Sequence, residues 1–341
     1  MSIKYWPLAI LTVAFWACTD SKPYMPELPK IPAEESSDTI PSAGYVEYDG
    51  LVEQLMKASV GKGLDIVLMG DGFPVELHAD GTYRSVMEQA CKYLFSVEPT
   101  ASLKDRFNVY YVGVVSHDSN LDGTSGIYCK KTVPTYRSEE AINTYAKNVS
   151  SLEHADSTVF CVIINTRESG GICYHQSYTT QKAYAYCPRI RPSNPTSQDY
   201  RFALVHEVIG HGFAKMSDEY VMSGYESTTP SRKERAQLIE HQKSGYDRNI
   251  TFSTDTASCP WKEFLTDERY ASEKIGFYEG VGYYGKGAYR STKTNLMNVT
   301  WGKDMAFSAP DRKIIYDRII VRSENRKPDY EEFVEFDLNL N

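Results

Sequence analysis

Hydrophobic positions along the chain form two kinds of pattern from residue 46 onward. Short apolar runs, rich in β-branched and aromatic residues, occupy residues 65–69, 107–115 and 158–164. Segments between them place apolar residues at helical spacing, as in residues 83–95 and 139–146. Runs of this length predict buried strands, and their alternation with helical segments predicts an α/β fold with a central sheet.

The second half of the chain contains an apolar run, residues 202–205, that leads directly into His206-Glu207. This pattern predicts a buried helix, for which Ser197 or Asp199 is a suitable N-cap. Residues 184–186 are expected to form an edge strand that pairs with an extended substrate. Three further helices are predicted: a charged amphipathic helix at 230–243, a short helix at 260–265 and a closing helix at 309–321. Residues 276–294 are rich in glycine and tyrosine and are expected to form an active-site loop. Residues 329–341 are expected to form an acidic strand or tail.

The segment that starts at His206 carries a group of potential metal ligands. His206 and Glu207 are adjacent, as in the His-Glu-x-x-His motif of zinc metallopeptidases, but His211 follows His206 by five residues instead of four. In a regular α-helix, residues five apart point about 140° away from each other, so the two imidazoles would not reach one ion. A π-bulge absorbs one extra residue, and Gly210 and Gly212 favour such a distortion around His211.

Zinc chemistry explains why these residue types occur together. Neutral imidazoles of His206 and His211 would bind Zn²⁺ and leave a position for water, while Glu207 would act as general acid/base. A third protein ligand is needed, and Asp218 lies seven residues beyond His211, after small residues that let the chain fold back. Glu219 or a carboxylate further along the chain is the alternative ligand. Two ordinary histidines on a core helix are the non-catalytic alternative.

The same segment, His206 to Tyr220, resembles the His-Glu…His…Asp-Glu-Tyr signature of the IgA-peptidase-like zinc metallopeptidases, family M64. Other similar stretches are residues 64–73, 106–112, 116, 123–128, 278–280, 289–290 and 295–297. The similarity extends over about residues 46–325 and therefore concerns a whole catalytic domain. It implies a zincin-like, metzincin-type α/β fold with a central mixed sheet and an active-site helix, and endopeptidase activity toward protein.

The resemblance also gives residues 295–298 an interpretation. Zincins of the metzincin type place a methionine turn beneath the metal, and Met297 would form that turn here. A peptide hydrolase further needs a group that stabilises the tetrahedral oxyanion. The hydroxyl groups of Tyr283, Tyr284 and Tyr289 are candidates for this role or for substrate contacts, and the sequence does not distinguish among them.

Charge and composition exclude one class of partner. The 341 residues carry a net charge of −8 and contain no lysine- or arginine-rich run, which argues against nucleic acid. A dinucleotide site is disfavoured too, because Gly70-Asp71-Gly72 lacks the third glycine of a phosphate-binding loop. The expected partners are one catalytic Zn²⁺ ion and a protein or peptide substrate, and the expected oligomeric state is a monomer.

The first residues have the pattern of a targeting segment. Lys4 precedes a short apolar run, and Ala17-Cys18 matches a bacterial lipoprotein cleavage site. Residues 1–17 would then be a signal peptide, and a lipid on Cys18 would anchor the proline-rich tether 18–45 to a membrane. The expected location is the outer membrane or cell surface, or its periplasmic face, with a plain secretory signal as the alternative.

Six further cysteines follow Cys18 in the sequence. An exported protein permits disulfides, and Cys173 with Cys187 is the first pair to test. Cys91 and Cys161 lie in apolar runs and fit buried thiols instead.

The predicted organisation is therefore a signal peptide, a tether, one catalytic domain at 46–326 and a C-terminal tail at 327–341. The predicted function is that of a zinc metalloendopeptidase, in which Glu207 moves the proton of a zinc-bound water. Two alternatives use the same scaffold. One is a catalytically inactive surface lipoprotein that binds glycan or protein, and the other is a zinc amidase that acts on cell-wall peptide.

Overall fold

The computed structural model of the protein describes residues 47–116, 139–152, 155–165, 170–175, 180–189, 198–299 and 305–340. In this part of the chain, the main sheet consists of β1 (Val52–Met56), β2 (Leu64–Asp71), β3 (Phe107–Val112), β4 (Val159–Ile164), β5 (Ile172–His175) and β6 (Ala183–Pro188). A smaller sheet consists of β7 (Ile250–Thr251), β8 (Tyr278–Val281) and β9 (Tyr284–Arg290). The helices are α1 (Val75–Ala79), α2 (Thr82–Leu94), α3 (Glu139–Ala146), α4 (Gln198–Val205), a π-helix (His206–Phe213), α5 (Arg232–Lys243), α6 (Ala309–Glu324) and α7 (Tyr330–Leu338).

The main sheet is mixed, with the strand order β1-β3-β2-β4-β6-β5. Strands β3, β2, β4 and β6 are parallel, whereas β1 and β5 pair antiparallel at the two edges. The predicted α/β fold with a central mixed sheet is thus confirmed.

Both faces of the main sheet are covered, which explains why its strands are continuous apolar runs without alternation. Every residue of β2 is buried, and β2 lies between the parallel strands β3 and β4. On one face, the strands pack with α3 through Ile142 and Ala146. On the other face, the larger core joins the strands to α2, α4, the π-helix, α6 and α7.

The π-helix lies against strands β4, β5 and β6 and continues α4 without a break. Gly212 allows this close approach, because a Cβ atom there would lie 2.8 Å from Val159 Cγ1 on β4. Burial of Val208, Ile209 and Phe213 fixes this helix on the sheet. The helix that carries both histidines is consequently a rigid part of the main core.

The smaller sheet packs with α5 in a separate apolar cluster of Leu238, Ile250, Val281 and Ala288. Helix α5 begins in a capping box, in which Ser231 accepts from Glu234 N–H and the Glu234 carboxylate accepts from Ser231 N–H. This second unit lies next to the chain segment that follows the π-helix, since Val221 forms a β-bridge with Gly282.

Three predicted elements differ from the structure. Residues 184–186 belong to the interior strand β6, and the edge strand beside it is β5. Strand β5 has only four residues and follows two glycines, so its sequence pattern is too short to indicate a strand. The segment 276–294 is the β8–β9 hairpin and not an irregular loop. The acidic segment 329–341 contains helix α7, whose Phe333 and Val334 are buried in the larger core, so it is neither a strand nor a loose tail.

Several predictions lie outside the described residues. These are the signal peptide, the tether, the lipidation site Cys18, Ser197 as an N-cap and the segment 123–128. Asp199 lies inside α4 and therefore is not its N-cap. Within the described ranges, the helices are all too short or too polar to cross a bilayer.

Candidate metal centre

The π-helix solves the problem of the five-residue spacing between His206 and His211. Its turns are wider than those of an α-helix: Ala214 N–H donates a hydrogen bond to Ile209 C=O, five residues back, at 2.8 Å. The two imidazoles consequently lie on one side of the helix, with Nε2 atoms 3.0 Å apart. The predicted widening is confirmed, and it extends over eight residues, more than the single turn expected.

Asp218 completes a compact cluster with the two histidines. Its Oδ1 atom lies 3.0 Å from His206 Nε2 and 3.1 Å from His211 Nε2. All three side chains are buried, and this is the one group of three or more potential metal ligands found among the described residues. Within that part of the chain, Asp218 Oδ2 has no hydrogen-bond partner.

Backbone carbonyls orient both imidazoles from behind. His206 Nδ1 lies 3.0 Å from Leu296 O, and His211 Nδ1 lies 2.7 Å from Met216 O. An Nδ1–H that donates to a carbonyl leaves Nε2 as an acceptor in the neutral ring. Two imidazole lone pairs and one carboxylate oxygen therefore point toward one another. These three acceptor atoms repel one another unless a cation or a proton lies between them.

The spacing of these atoms suits a small metal ion. Ligand atoms around tetrahedral Zn²⁺, with bonds of about 2.1 Å, lie about 3.4 Å apart, within a few tenths of an ångström of the observed separations. Carbonyl-bound imidazoles are the usual arrangement for metal-binding histidines, since the outer hydrogen bond fixes the tautomer and the ring. His206, His211 and Asp218 thus fit a zinc site as three protein ligands.

The pKa values in this cluster show how strongly its members interact in the absence of metal. Burial by itself would lower the pKa of His211, but the adjacent Asp218 carboxylate outweighs burial and raises that pKa to about 9. Burial would raise the pKa of Asp218, yet the contacts with His211 and His206 hold it below its usual value. A proton can therefore take the central position when no metal ion does.

A network of amides holds the loop that carries Asp218. Asn249 accepts from Ser217 N–H and donates to both Ser217 C=O and the Glu219 carboxylate. Asn295 donates to the other oxygen of Glu219 at 2.7 Å. Glu219 is thereby turned away from the cluster, so of the two adjacent acidic residues it is Asp218 that faces the histidines.

Met297 lies directly under the π-helix. It is fully buried, and a Cβ atom added at Gly210 would come within 2.4 Å of its sulfur. Its carbonyl accepts from Glu219 N–H at 2.9 Å, and the carbonyl of the preceding Leu296 holds His206. The turn around Met297 therefore supports both the helix and the loop of the metal cluster.

Glu207 is buried, with 3% of its surface exposed, and lies next to the edge of the main sheet. A Cβ atom at Gly171 would be 2.7 Å from Glu207 Oε1, so only glycine fits there without moving the carboxylate. Gly171 immediately precedes the edge strand β5. Glu207 therefore follows the ligand candidate His206 in the chain, and its carboxylate contacts the backbone at the start of β5.

The family model for IgA peptidase M64 matches residues 54–270, well over half of the chain. The chain belongs to the IgA peptidase M64 family. Membership in M64 makes the protein a peptidase, a hydrolase of peptide bonds. The match includes His206, Glu207, His211 and Asp218 and ends before Met297. No curated protein matches the chain.

The three tyrosines proposed for the oxyanion occupy different places in this M64 peptidase. Tyr283 and Tyr284 line a pocket that also includes Asp218. Tyr289 is not among the residues that line it, and its ring packs edge-on against Phe277. Tyr220, the last residue of the Asp-Glu-Tyr signature, stacks its ring on His206 with centroids 6.5 Å apart, a contact that the sequence pattern does not indicate.

Five cysteines in the described part of the M64 peptidase are buried free thiols that form no disulfide: Cys91, Cys161, Cys173, Cys187 and Cys259. The suggested pairing of Cys173 with Cys187 is therefore wrong. Burial is the main cause that raises the pKa of Cys187, followed by a hydrogen bond with Cys161. These thiols act as small apolar side chains in the core.

Proposed function

We propose that the protein is a zinc-dependent endopeptidase that cleaves peptide bonds within protein substrates. The observation that carries this proposal is the convergence of three buried acceptor atoms from His206, His211 and Asp218. These residues would hold one Zn²⁺ ion as its protein ligands. When bound, the ion supplies Lewis-acid chemistry, which lowers the pKa of water and polarises the scissile carbonyl.

Glu207 is the general acid/base in this proposal. Its carboxylate takes the proton of the attacking water and later passes it to the leaving amine. Its position beside Gly171, at the start of the edge strand β5, supports this role, because the acid/base must lie next to the peptide bond that is cleaved. Neighbouring Gly171 keeps the space around the carboxylate open.

The substrate would bind as an extended strand on β5. This strand is one of the two edges of the main sheet in the described chain, and backbone hydrogen bonds to such an edge bind peptides without selecting their sequence. Tyr220, near His206, and Tyr283 and Tyr284, near Asp218, are the candidates for stabilising the oxyanion. Met297 would be the methionine turn beneath the metal.

We also propose that the enzyme is exported as a lipoprotein. Cys18 follows an apolar segment and a small residue, the pattern that precedes lipid attachment. The proline-rich residues 18–45 would hold the catalytic domain at a distance from the membrane. Mass spectrometry of the membrane-associated protein would detect acyl chains on Cys18, and an unmodified soluble protein would contradict this location.

Cleavage of an unfolded protein substrate tests the enzymatic proposal. Zinc-loaded protein is expected to produce peptide fragments, a chelator to stop the reaction, and added zinc to restore it. Glu207→Gln should lower kcat by at least about 100-fold with zinc still bound, because the proton acceptor is lost. Glu240→Gln is the matched control, since that side chain is 69% exposed on α5 and forms a surface ion pair with Lys243.

Other outcomes would contradict the proposal in distinguishable ways. Full activity in Glu207→Gln would exclude this residue as the acid/base. Cleavage of cell-wall peptide without cleavage of any protein would establish the amidase alternative. Zinc binding without hydrolysis of either substrate would support the binding lipoprotein.

A further inference from the structure

An open pocket lies directly beside Asp218, outside the metal cluster. Helix α5, strand β7 and the β8–β9 hairpin form its walls, and Ser217 and Asp218 form the side toward the metal centre. The space between these walls is concave and partly open to solvent. A substrate residue adjacent to the scissile bond could therefore place its side chain here.

The walls of this pocket are apolar and aromatic. Leu238, Ile250 and Val281 are buried and belong to one apolar cluster. The rings of Phe252 and Tyr284 pack edge to face on that cluster, with centroids 5.1 Å apart. Such walls stabilise the methylene groups of a long side chain, and the faces of aromatic rings attract cations.

The charged groups that line the pocket are acidic. Besides Asp218, they include Asp247 and Glu234, whereas the lining residues that the structure describes contain no lysine or arginine. Asp247 is already engaged, because Ser217 Oγ donates to its Oδ1 at 2.6 Å and His241 Nδ1 lies 3.0 Å from its Oδ2. The pocket wall thus carries three carboxylates, of which Glu234 is the one contributed by α5.

Glu234 is held in place by two donors. Its Oε2 accepts from Ser231 N–H at 2.8 Å in the capping box of α5. The Tyr284 hydroxyl donates to it as well, and this contact, after burial, raises the pKa of Tyr284. These contacts fix the position of the carboxylate in the pocket wall.

We propose that this pocket binds a lysine or arginine side chain of the substrate next to the scissile bond. The inference rests on the proposed peptidase function. The aliphatic stem packs on Leu238, Ile250 and Val281, the cationic end lies near the Tyr283 and Tyr284 rings, and the Glu234 carboxylate pairs with its charge. A norleucine side chain has the same stem without the charge and should bind less well.

Matched peptide sets test this specificity. Each set varies one position beside the scissile bond, on either side, among lysine, arginine, norleucine, phenylalanine and glutamate. At one of these positions, kcat/KM for lysine or arginine should exceed that for norleucine by about tenfold, the difference expected for one charge-assisted contact. Equal cleavage of norleucine or phenylalanine peptides at every position would overturn the proposal, whereas no cleavage of any peptide would count against the peptidase itself.

Glu234→Gln is the decisive variant. Glutamine can keep the capping box and accept from Tyr284, so the change removes charge with little change of shape. The ratio of kcat/KM for lysine over norleucine should fall by about tenfold, with thermal unfolding measured to verify folding. Glu240→Gln removes the same charge from an exposed position of α5 and should keep the ratio. An unchanged ratio in Glu234→Gln would overturn the assignment.

A binding measurement keeps the pocket testable without catalysis. Nα-acetyl-arginine amide and Nα-acetyl-norleucine amide are compared by the broadening of their proton NMR lines upon addition of the Glu207→Gln protein. The arginine compound should broaden more, and Glu234→Gln in the same protein should remove the difference. Equal broadening of both compounds would overturn the proposal.

Discussion

The three side chains of the candidate metal centre face one another with acceptor atoms. These atoms repel one another unless a proton or a metal ion lies between them. His206 and His211 are fixed by carbonyls at Nδ1, so their Nε2 lone pairs face Asp218. Without metal, the pKa of His211 rises to about 9, against an ordinary value of 6.5. If the proposed zinc ion binds here, it competes with this proton for one position.

The first prediction concerns pH. The raised pKa of His211 stabilises the metal-free protein fully below pH 6.5, and this contribution is lost as pH rises toward about 9. The unfolding temperature of metal-free protein should fall across that interval, while zinc affinity should rise because no proton needs to be displaced. Calorimetry and zinc titration measure the two trends, and an identical pH dependence in His211→Gln would contradict this explanation.

Site residues that are close together in the sequence can be predicted from it, whereas those far apart cannot. His206, Glu207, His211 and Asp218 lie within thirteen residues, and their chemistry is visible as a spaced pattern. Asn249 and Asn295 brace the same site from 31 and 77 residues beyond Asp218, as their numbers show. Asparagine in a loop has many ordinary uses, so only the folded structure reveals their hydrogen bonds to the Asp218 loop and to Glu219.

At the scale of elements, the π-helix carries the departure from the common zinc motif. Gly210 faces Met297 so closely that no side chain fits between them, and Gly212 does the same toward Val159 on β4. The two glycines thus serve packing as well as the widened turn. The glycines beside His211 predicted the widened helical turn. The role of Met297, which packs against Gly210, was indicated only by the resemblance to a known family.

The second prediction concerns Gly210→Ala. Its Cβ would lie 2.4 Å from Met297 Sδ and 2.9 Å from Met297 Cε, so the variant should lose about 1–3 kcal/mol of unfolding free energy through overpacking. Denaturant unfolding measures the loss. The cost should shrink in the Met297→Ala background, where the space is vacant, and additive effects of the two changes would contradict the contact.

A glycine with room around it provides the control for that experiment. A Cβ at Gly276 would meet only Tyr278, at an ordinary 3.8 Å, so Gly276→Ala should be nearly neutral. A large loss at this position would mean that the cost at Gly210 reflects glycine replacement in general.

At the scale of the whole molecule, α6 and α7 close the core beneath the sheet. Phe333 packs on Phe264 and Tyr316, and Arg312 of α6 forms an ion pair with Asp337 of α7 at 2.7 Å. The segment has apolar residues at helical spacing, Tyr330, Phe333, Val334 and Phe336 among acidic ones. The acidic composition of this segment suggested a strand or tail. Charge alone does not show that the apolar side of the segment packs against the core.

The third prediction follows from this packing. Phe333→Ala should lower the free energy of unfolding by about 3–5 kcal/mol, since a fully buried aromatic side chain leaves a cavity. Leu338→Ala on the same helix should cost much less, because that side chain is about half exposed. Similar costs for the two variants in chemical denaturation would contradict a role for α7 in the core.

The zinc content of purified residues 46–341 tests the central claim most directly. After reconstitution, mass spectrometry should find about one zinc ion per chain in the parent protein and in His241→Ala, whose side chain lies outside the cluster. His211→Ala and Asp218→Ala should lose the ion while thermal unfolding shows that they still fold. A parent protein without zinc, or equal zinc in all four proteins, would contradict a metal site built by the π-helix and Asp218.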